Sequence, residues 1–441
     1  MNPVESTVVA ATRAYGDIVR EIRPLDLTRV PAAARPRAGA RRHRLRSWLV
    51  PATAAAAVIA LAIALVIVRD LPNGRVVPAL PSATGSGVPP YYVAVTGPTG
   101  WYAYAPLASS PPAVLAIGET LTGKRLATIT PPRGSRFVGV TGAADDRTWV
   151  VSTMHTSLRA SPALSVTWYL LRFTPGAGYT LSKLAIPDMR SWDVRSIGLS
   201  GSGRELAMTL VPAKRAAGTP GFELRIYSVA TGKLLREWST NDTSVYPADR
   251  TVPGLQDHAL TWADGDRVLV FPTWVGKTGT VLSGHESERR IDVTAGSGDL
   301  IADSRVIWSL PPSAGVGAAD RCLPVGARVT ADGKTFLCPT GAIPSGTRGH
   351  GRVTLSWLAY STSAPNVGRV VYKVTVDAPS SHVILSGILW ADASGGTLMV
   401  EWSLASSILP STVHYSVVSH GRSRPLPPVP GFLDALPNVA W

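Results

Sequence analysis

Side chains able to do chemistry are sparse in this 441-residue chain, and their spacing is uninformative for catalysis. Eight histidines are present: His43, then His155, His258, His285, His350, His382, His414 and His420. None belongs to an H-E-x-x-H pair; His285-Glu286 lacks the second histidine that would complete a zinc-binding helix face. The segment G-L-S-G-S-G (198–203) approaches a nucleophile elbow but fails at its last glycine, and reads as a hairpin turn. There is no phosphate-cradling glycine loop and no dinucleotide fingerprint. Asp145–Trp149 has the composition of a sialidase Asp-box with the tryptophan one residue too close. Asp242, Asp249, Asp257 and Asp320 could supply a carboxylate pair from loops. Two cysteines, Cys322 and Cys338, exclude a four-cysteine zinc site and a disulfide-dense scaffold.

The elements that would position such residues follow from composition. Only 16% of the residues are charged while 45% are hydrophobic, which argues against disorder. The 41 Gly and 37 Pro are scattered, which suits many short strands and turns rather than a helix bundle. Among 43 basic residues only seven are lysine, a bias that accompanies GC-rich genomes such as those of actinobacteria.

Residues 48–68, WLVPATAAAAVIALAIALVIV, run without a charge. At about 1.5 Å per residue they span the roughly 30 Å of a bilayer's hydrocarbon core. A buried core helix of this length would carry a polar face, and a cleaved signal peptide would not follow 47 residues of leader. Arg41, Arg42, Arg44 and Arg46 crowd the N-terminal flank, so the positive-inside rule places 1–47 in the cytoplasm and everything after Val68 outside. Within 1–47, Val8, Ala11, Tyr15, Ile18, Ile22 and Leu25 form one face of a short amphipathic helix. Its partner is the membrane surface or, through residues 1–30, a cytoplasmic regulatory protein. Residues 69–90, with five Pro and three Gly, form an extended linker.

From Tyr91 onward, helical periodicity gives way to short apolar strands. One hairpin type recurs five times: 138–152, 197–210, 260–271, 328–338 and 389–402. With Asp145, Ser202, Asp264, Asp332 and Asp392 as markers, its spacing is 57, 62, 68 and 60 residues. A second type alternates with it at 115–130, 169–186, 224–239, 289–308, 356–374 and 414–427. Two hairpins per period make a four-stranded sheet that cannot bury both faces alone; stacking such sheets around an axis does so. The expected fold is all-β, a β-propeller over 91–441 outside the membrane, preceded by one transmembrane α-helix. It has six blades, or seven if the tail 433–441 adds one. Long loops are expected at 155–165, 211–221, 240–256, 275–286, 311–324 and 341–352. The 13 tryptophans, among them Trp238, Trp262, Trp274, Trp308, Trp357, Trp390 and Trp402, are expected to pack between blades rather than to form a ligand platform.

The copies S-G-S-G-R-E-L-A (200–207), A-D-G-D-R-V-L-V (263–270) and A-D-G-K-T-F-L-C (331–338) resemble the S-P-D-G-[RK]-x-[LIV]-A signature of WD40-like (PD40, Tol-type) β-propellers. The layout of basic tail, Ala-rich anchor, Pro-rich linker and propeller resembles actinobacterial membrane-anchored members of that group. The resemblance implies a fold; its motif specifies a turn, since Asp and Gly supply local hydrogen bonding and positive φ.

These readings lead to a binding or scaffold module of the cell envelope, with no enzymatic activity, cofactor, metal or nucleic-acid partner. Its loops would take a protein or cell-wall ligand, helped by a net charge of about +8 outside (+14 for the chain, less +6 for 1–47). Two other readings remain: a transmembrane regulator of the anti-sigma kind acting through its cytoplasmic helix, and an envelope hydrolase using loop carboxylates. Cys322 and Cys338 flank the A-D-G turn (331–333) in an oxidising compartment and are expected to form a disulfide. In the chain-entropy view a loop of this size is worth roughly 3 kcal/mol. The topology predicts that a reporter active only outside the cell works when fused after Trp441 and fails when fused before Trp48. Activity in the reverse pattern would overturn it.

Overall fold

The repeated hairpins need partners on both faces, and the computed structural model supplies them. It describes residues 87–96, 113–155, 166–189, 192–212, 221–242, 245–247, 260–275, 285–309, 322, 326–340, 350–379, 382–406, 413–429 and 438–441. The expected cytoplasmic helix, the membrane span and all of the linker before Gly87 lie outside these residues. Among the described residues no helix is long and apolar enough to cross a membrane.

Six sheets form the blades of a β-propeller. Blade 1 carries β1 (Tyr91–Thr96), β2 (Val114–Glu119) and β3 (Arg125–Ile129). Blade 2 carries β4 (Ser135–Gly142), β5 (Thr148–His155), β6 (Val166–Thr174) and β7 (Gly178–Lys183). Blade 3 carries β8 (Trp192–Leu199), β9 (Glu205–Pro212), β10 (Phe222–Ser228) and β11 (Leu234–Thr240). Blade 4 holds β12 (Val245–Pro247), β13 (Thr261–Ala263), β14 (Val268–Val275) and β15 (His285–Asp292). Its last hairpin sends β16 (Gly298–Asp299) to pair in parallel with β11 before β17 (Ser304–Ser309) closes the sheet. Blade 5 carries β18 (Arg328–Val329), β19 (Thr335–Pro339), β20 (His350–Ser361) and β21 (Ala364–Pro379). Blade 6 carries β22 (His382–Ala391), β23 (Thr397–Ser406), β24 (Val413–Ser419) and β25 (Arg422–Leu426).

The tail adds no seventh blade. β26 (Asn438–Ala440) pairs antiparallel with β1, Val93 opposite Ala440 and Val95 opposite Asn438, and so supplies the strand that blade 1 lacks. This explains why six blades show only five copies of the first hairpin. In blade 1 the two strands of that hairpin come from opposite ends of the propeller, so no turn joins them. Trp441 sits there instead: its Nε1–H donates to Thr120 Oγ1 at 3.0 Å, and its ring centroid lies 6.0 Å from that of Tyr92 and 6.5 Å from that of Tyr415 of blade 6. The propeller also begins earlier than expected. Pro89 is buried, Val88 packs against the same cluster, and the Pro90 carbonyl accepts the Thr120 N–H at 3.0 Å.

The five turns align on their fourth position, but only three share the rest of the construction. In blades 3, 5 and 6 a side-chain oxygen at the first position accepts the N–H five residues on: Ser200 from Glu205, Thr330 from Thr335, Asp392 from Thr397. Blades 2 and 4 have Ala143 and Ala263 there, and in blade 2 the Thr148 N–H goes to Asp145 Oδ1 instead. The fourth position has positive φ and is Gly203, Gly333 or Gly395. It is Asp146 and Asp266 in blades 2 and 4, aspartate being among the few side chains that tolerate this region. The marker residues are therefore not equivalent. Asp145, Ser202 and Asp332 occupy the third position, Asp264 the second and Asp392 the first.

The turns also join neighbouring blades. Ala144 N–H donates to the Gly201 carbonyl at 3.0 Å, and Asp264 N–H to that of Ala331 at 2.7 Å. Between blades 3 and 4 a carboxylate substitutes for a carbonyl: Gly201 and Ser202 N–H donate to Asp266 Oδ1 and Oδ2 at 2.7 and 2.9 Å. Beneath the turns, apolar clusters fill the gaps between blades, and Trp149, Trp168, Trp238 and Trp357 are fully buried in them. Because charge strengthens the bonds to Asp266, Asp266→Ala should destabilise the full chain by about 1–3 kcal/mol in urea unfolding. Asp264→Ala, which keeps the backbone bond to Ala331, should cost less. Equal losses would show that the carboxylate does not bind blade 3.

Candidate functional site

The expected disulfide is present, with Cys322 and Cys338 Cα atoms 5.3 Å apart. Both cysteines are buried, and Cys322 forms a single bridge to Thr340. The neighbouring first strand of blade 5, β18, is only two residues long, so the covalent link holds an approach to the sheet that few backbone pairs hold. Among the described residues, no further site expected from the sequence is assembled. Arg41, Arg42, Arg44 and Arg46 lie outside the described residues, as do Asp249, Asp257 and Asp320. Among the described residues no group of three His, Cys, Asp or Glu could hold a metal ion.

The structure does bring together charged residues that sequence reading passed over. Strand T-W-V-V-S (148–152) of blade 2 aligns with E-L-A-M-T (205–209) and T-L-M-V-E (397–401) from their turns outward. The fifth position is buried in all three: Ser152, Thr209 and Glu401. Thr209 shares a 2.6 Å hydrogen bond with Ser196, and Ser152 Oγ donates to the Gly139 carbonyl at 3.5 Å. Glu401 is instead a carboxylate, 1% exposed, set opposite Gly387 on the first strand and Tyr415 on the third. Gly387 makes its room, since a Cβ there would stand 2.8 Å from Glu401 Oε1. Gly326 of blade 5 packs on Gly387 of blade 6, where a Cβ on Gly326 would stand 3.0 Å from the Gly387 Cα, and its carbonyl accepts the Ile388 N–H at 2.9 Å. Two residues on from Gly326, Arg328 supplies the positive charge that acts on Glu401.

The pair is held where water is scarce. Burial pushes the Glu401 carboxyl up to about 8 against the pull of Arg328, and burial lowers the Arg328 guanidinium to about 10 against the pull of Glu401. A carboxyl raised this far can exchange a proton near neutral pH, but at 1% exposure it does not meet a substrate. Its chemistry is internal: the Arg328–Glu401 attraction adds to the side-chain contacts between blades 5 and 6, among them the Trp357 Nε1–H bond to the Gly387 carbonyl and the Ser386 hydroxyl bond to the Thr340 carbonyl.

A second cluster lies in blade 3. Arg225 stands 4.7 Å over the Trp192 ring, with Nη2 2.6 Å from Glu223 Oε2 and Nε 3.3 Å from Glu237 Oε2. Burial raises the Glu223 carboxyl although Arg225 draws it down. With two carboxylates and an aromatic face upon it, this guanidinium acts as a brace. Internal alignment of the repeats is the signal that exposes Glu401; nothing comparable in the sequence marks Arg225.

No known family and no curated protein matches the chain. Solved structures similar to it include an uncharacterized protein from Listeria monocytogenes at 10% identity and TM-score 0.34, covering 66% of this chain and 65% of that one. An oligogalacturonate lyase in complex with manganese matches at 8% identity and TM-score 0.38, covering 71% and 72%. A protein named as TolB from Agrobacterium tumefaciens matches at 10% identity and TM-score 0.36, covering 77% and 89%. The expectation that this chain has no enzymatic activity is corrected by these findings. The similar structures include this lyase and several peptidases, and the fold alone neither assigns nor excludes an activity.

The raised carboxyl sets a pH dependence. Folded Glu401 keeps its proton to higher pH than an unfolded glutamate, so its contribution to stability is fullest below about 4.5 and declines as pH rises to about 8. Glu401→Gln should flatten this part of the profile, read as urea midpoints of the full chain between about pH 5 and about pH 9. A wild-type midpoint that rises across this window, or a variant with the same slope as wild type, would contradict it.

Proposed function

We infer that the chain is a membrane-tethered binding module of the cell envelope, and one observation carries the reading. Antiparallel pairing sorts the strand ends to two faces. The tight turns of both hairpin types share one face, as the Phe173 N–H to Arg147 carbonyl bond and its counterpart from Val229 to Arg204 illustrate. The chain comes into β1 and leaves β26 at that same face. The strand ends leading into 97–112, 156–165, 213–220, 276–284, 341–349 and 407–412 all lie at the other face.

A tether on the turn face leaves the longer connections free to meet a partner. Loops placed by a rigid scaffold are where binding residues concentrate. The uncharged run 48–68 and its arginine flank support the tether, and the positive balance outside supports an anionic wall polymer or an acidic protein surface as partner. The helix stripe from Val8 to Leu25 favours a second role, in which the tail docks a cytoplasmic regulatory protein.

Photo-crosslinking side chains placed in living cells at Ala160, Thr280 or Ser345 should capture a partner, while those at Ser202 or Ser394 should not. Capture confined to the turn positions would overturn the reading.

A further inference from the structure

Where blade 6 meets blade 1, three oxygens lie inside the protein with no hydrogen-bond partner among the described residues: Glu401 Oε2, Tyr415 Oη and Tyr92 Oη. Their residues are 1%, 4% and 2% exposed. Buried polar atoms are almost always bonded to protein or to ordered water, so three orphans in one seam require an explanation. They are neighbours. Glu401 and Tyr415 stand directly opposite on β23 and β24, and Tyr415 and Tyr92 pack on the same Trp441 indole. Met399, Leu389, Val417 and Val439 wall the seam with apolar groups that offer no bond.

Among the described residues, the charged groups acting on it are Arg328 on β18, which acts on Glu401, and Arg125 on β3, which acts on Tyr92. A bound cation would be repelled by Arg328, and a bound anion by ionised Glu401. A neutral group that both donates and accepts suits a carboxyl beside a phenol in either protonation state. We propose that the seam between blades 6 and 1 holds an ordered water that bridges Glu401 Oε2 and Tyr415 Oη. It accepts the phenol hydrogen and donates to the carboxylate, as internal waters commonly do between two to four polar partners. The ring then closes around a wet polar contact near an otherwise apolar Trp441 joint.

A high-resolution crystal structure of the full chain tests this. The expected result is an isolated density peak within about 3.2 Å of both oxygens. Tyr415→Phe should lose the peak or shift it off the phenyl ring, while Glu401→Gln, which keeps an acceptor at that position, should retain it. An empty seam, a direct Tyr415–Glu401 hydrogen bond, or a peak with the coordination of an ion would each overturn the proposal. The wild-type map alone decides it should either variant fail to fold.

Discussion

Everything in this propeller depends on closing the ring. Each blade has apolar side chains on both faces, so an open array would leave two faces bare at its ends. Covalent continuity joins blades 1 to 6 in order and runs on from β25 of blade 6 into β26, but nothing covalent joins β26 to β1, the rest of blade 1. That joint is made by three residues of β26 laid on β1 and by Trp441, which touches Tyr92 and Tyr415 and donates to Thr120. An apolar cluster that includes Leu389, Met399, Val417 and Val439 packs beside it; elsewhere Asp266 and the backbone of Ala144 and Asp264 also fasten one blade to the next. The polar atoms of Glu401, Tyr415 and Tyr92 gather beside the same, otherwise apolar, joint.

Closure also sets what the molecule presents. With its first and last strands meeting at the turn face, the chain arrives and departs on one side. The turns on that side are occupied with internal hydrogen bonds: the Asp145, Asp332 and Asp392 carboxylates all accept bonds from their own turns. The opposite side carries the longer connections. The binding reading rests on this division of labour between faces, and the internal pair of Arg328 and Glu401 serves the scaffold that maintains it.

Much of the scaffold was legible in the sequence because it is periodic. Both hairpin types, their order and the bridged cysteines follow from local pattern and spacing, and 415–426 and 169–183 pair as the second hairpin requires. Legibility failed where one position is filled by different chemistry in different repeats. Asp264 and Asp392 matched the turn motif by type yet stand one or two positions from Asp332. Glu401 looked like one acid in an apolar strand until the turn geometry aligned it with Ser152 and Thr209. The parallel addition of β16 to β11 was illegible because two residues carry no periodicity. The Arg225 brace was illegible for a different reason: Glu237 approaches it only after β10 and β11 pair, and the Trp192 ring only after blade 3 is assembled.

The account stands or falls on the noncovalent joint. Urea unfolding of the chain shortened to end at Pro437, followed by tryptophan fluorescence, measures it directly. If closure supports the whole ring, loss of residues 438–441 should abolish the single cooperative transition or move its midpoint far below that of the intact chain. A truncated chain that unfolds at the wild-type midpoint with the wild-type slope would show that the blades stand without being joined, and would contradict the account.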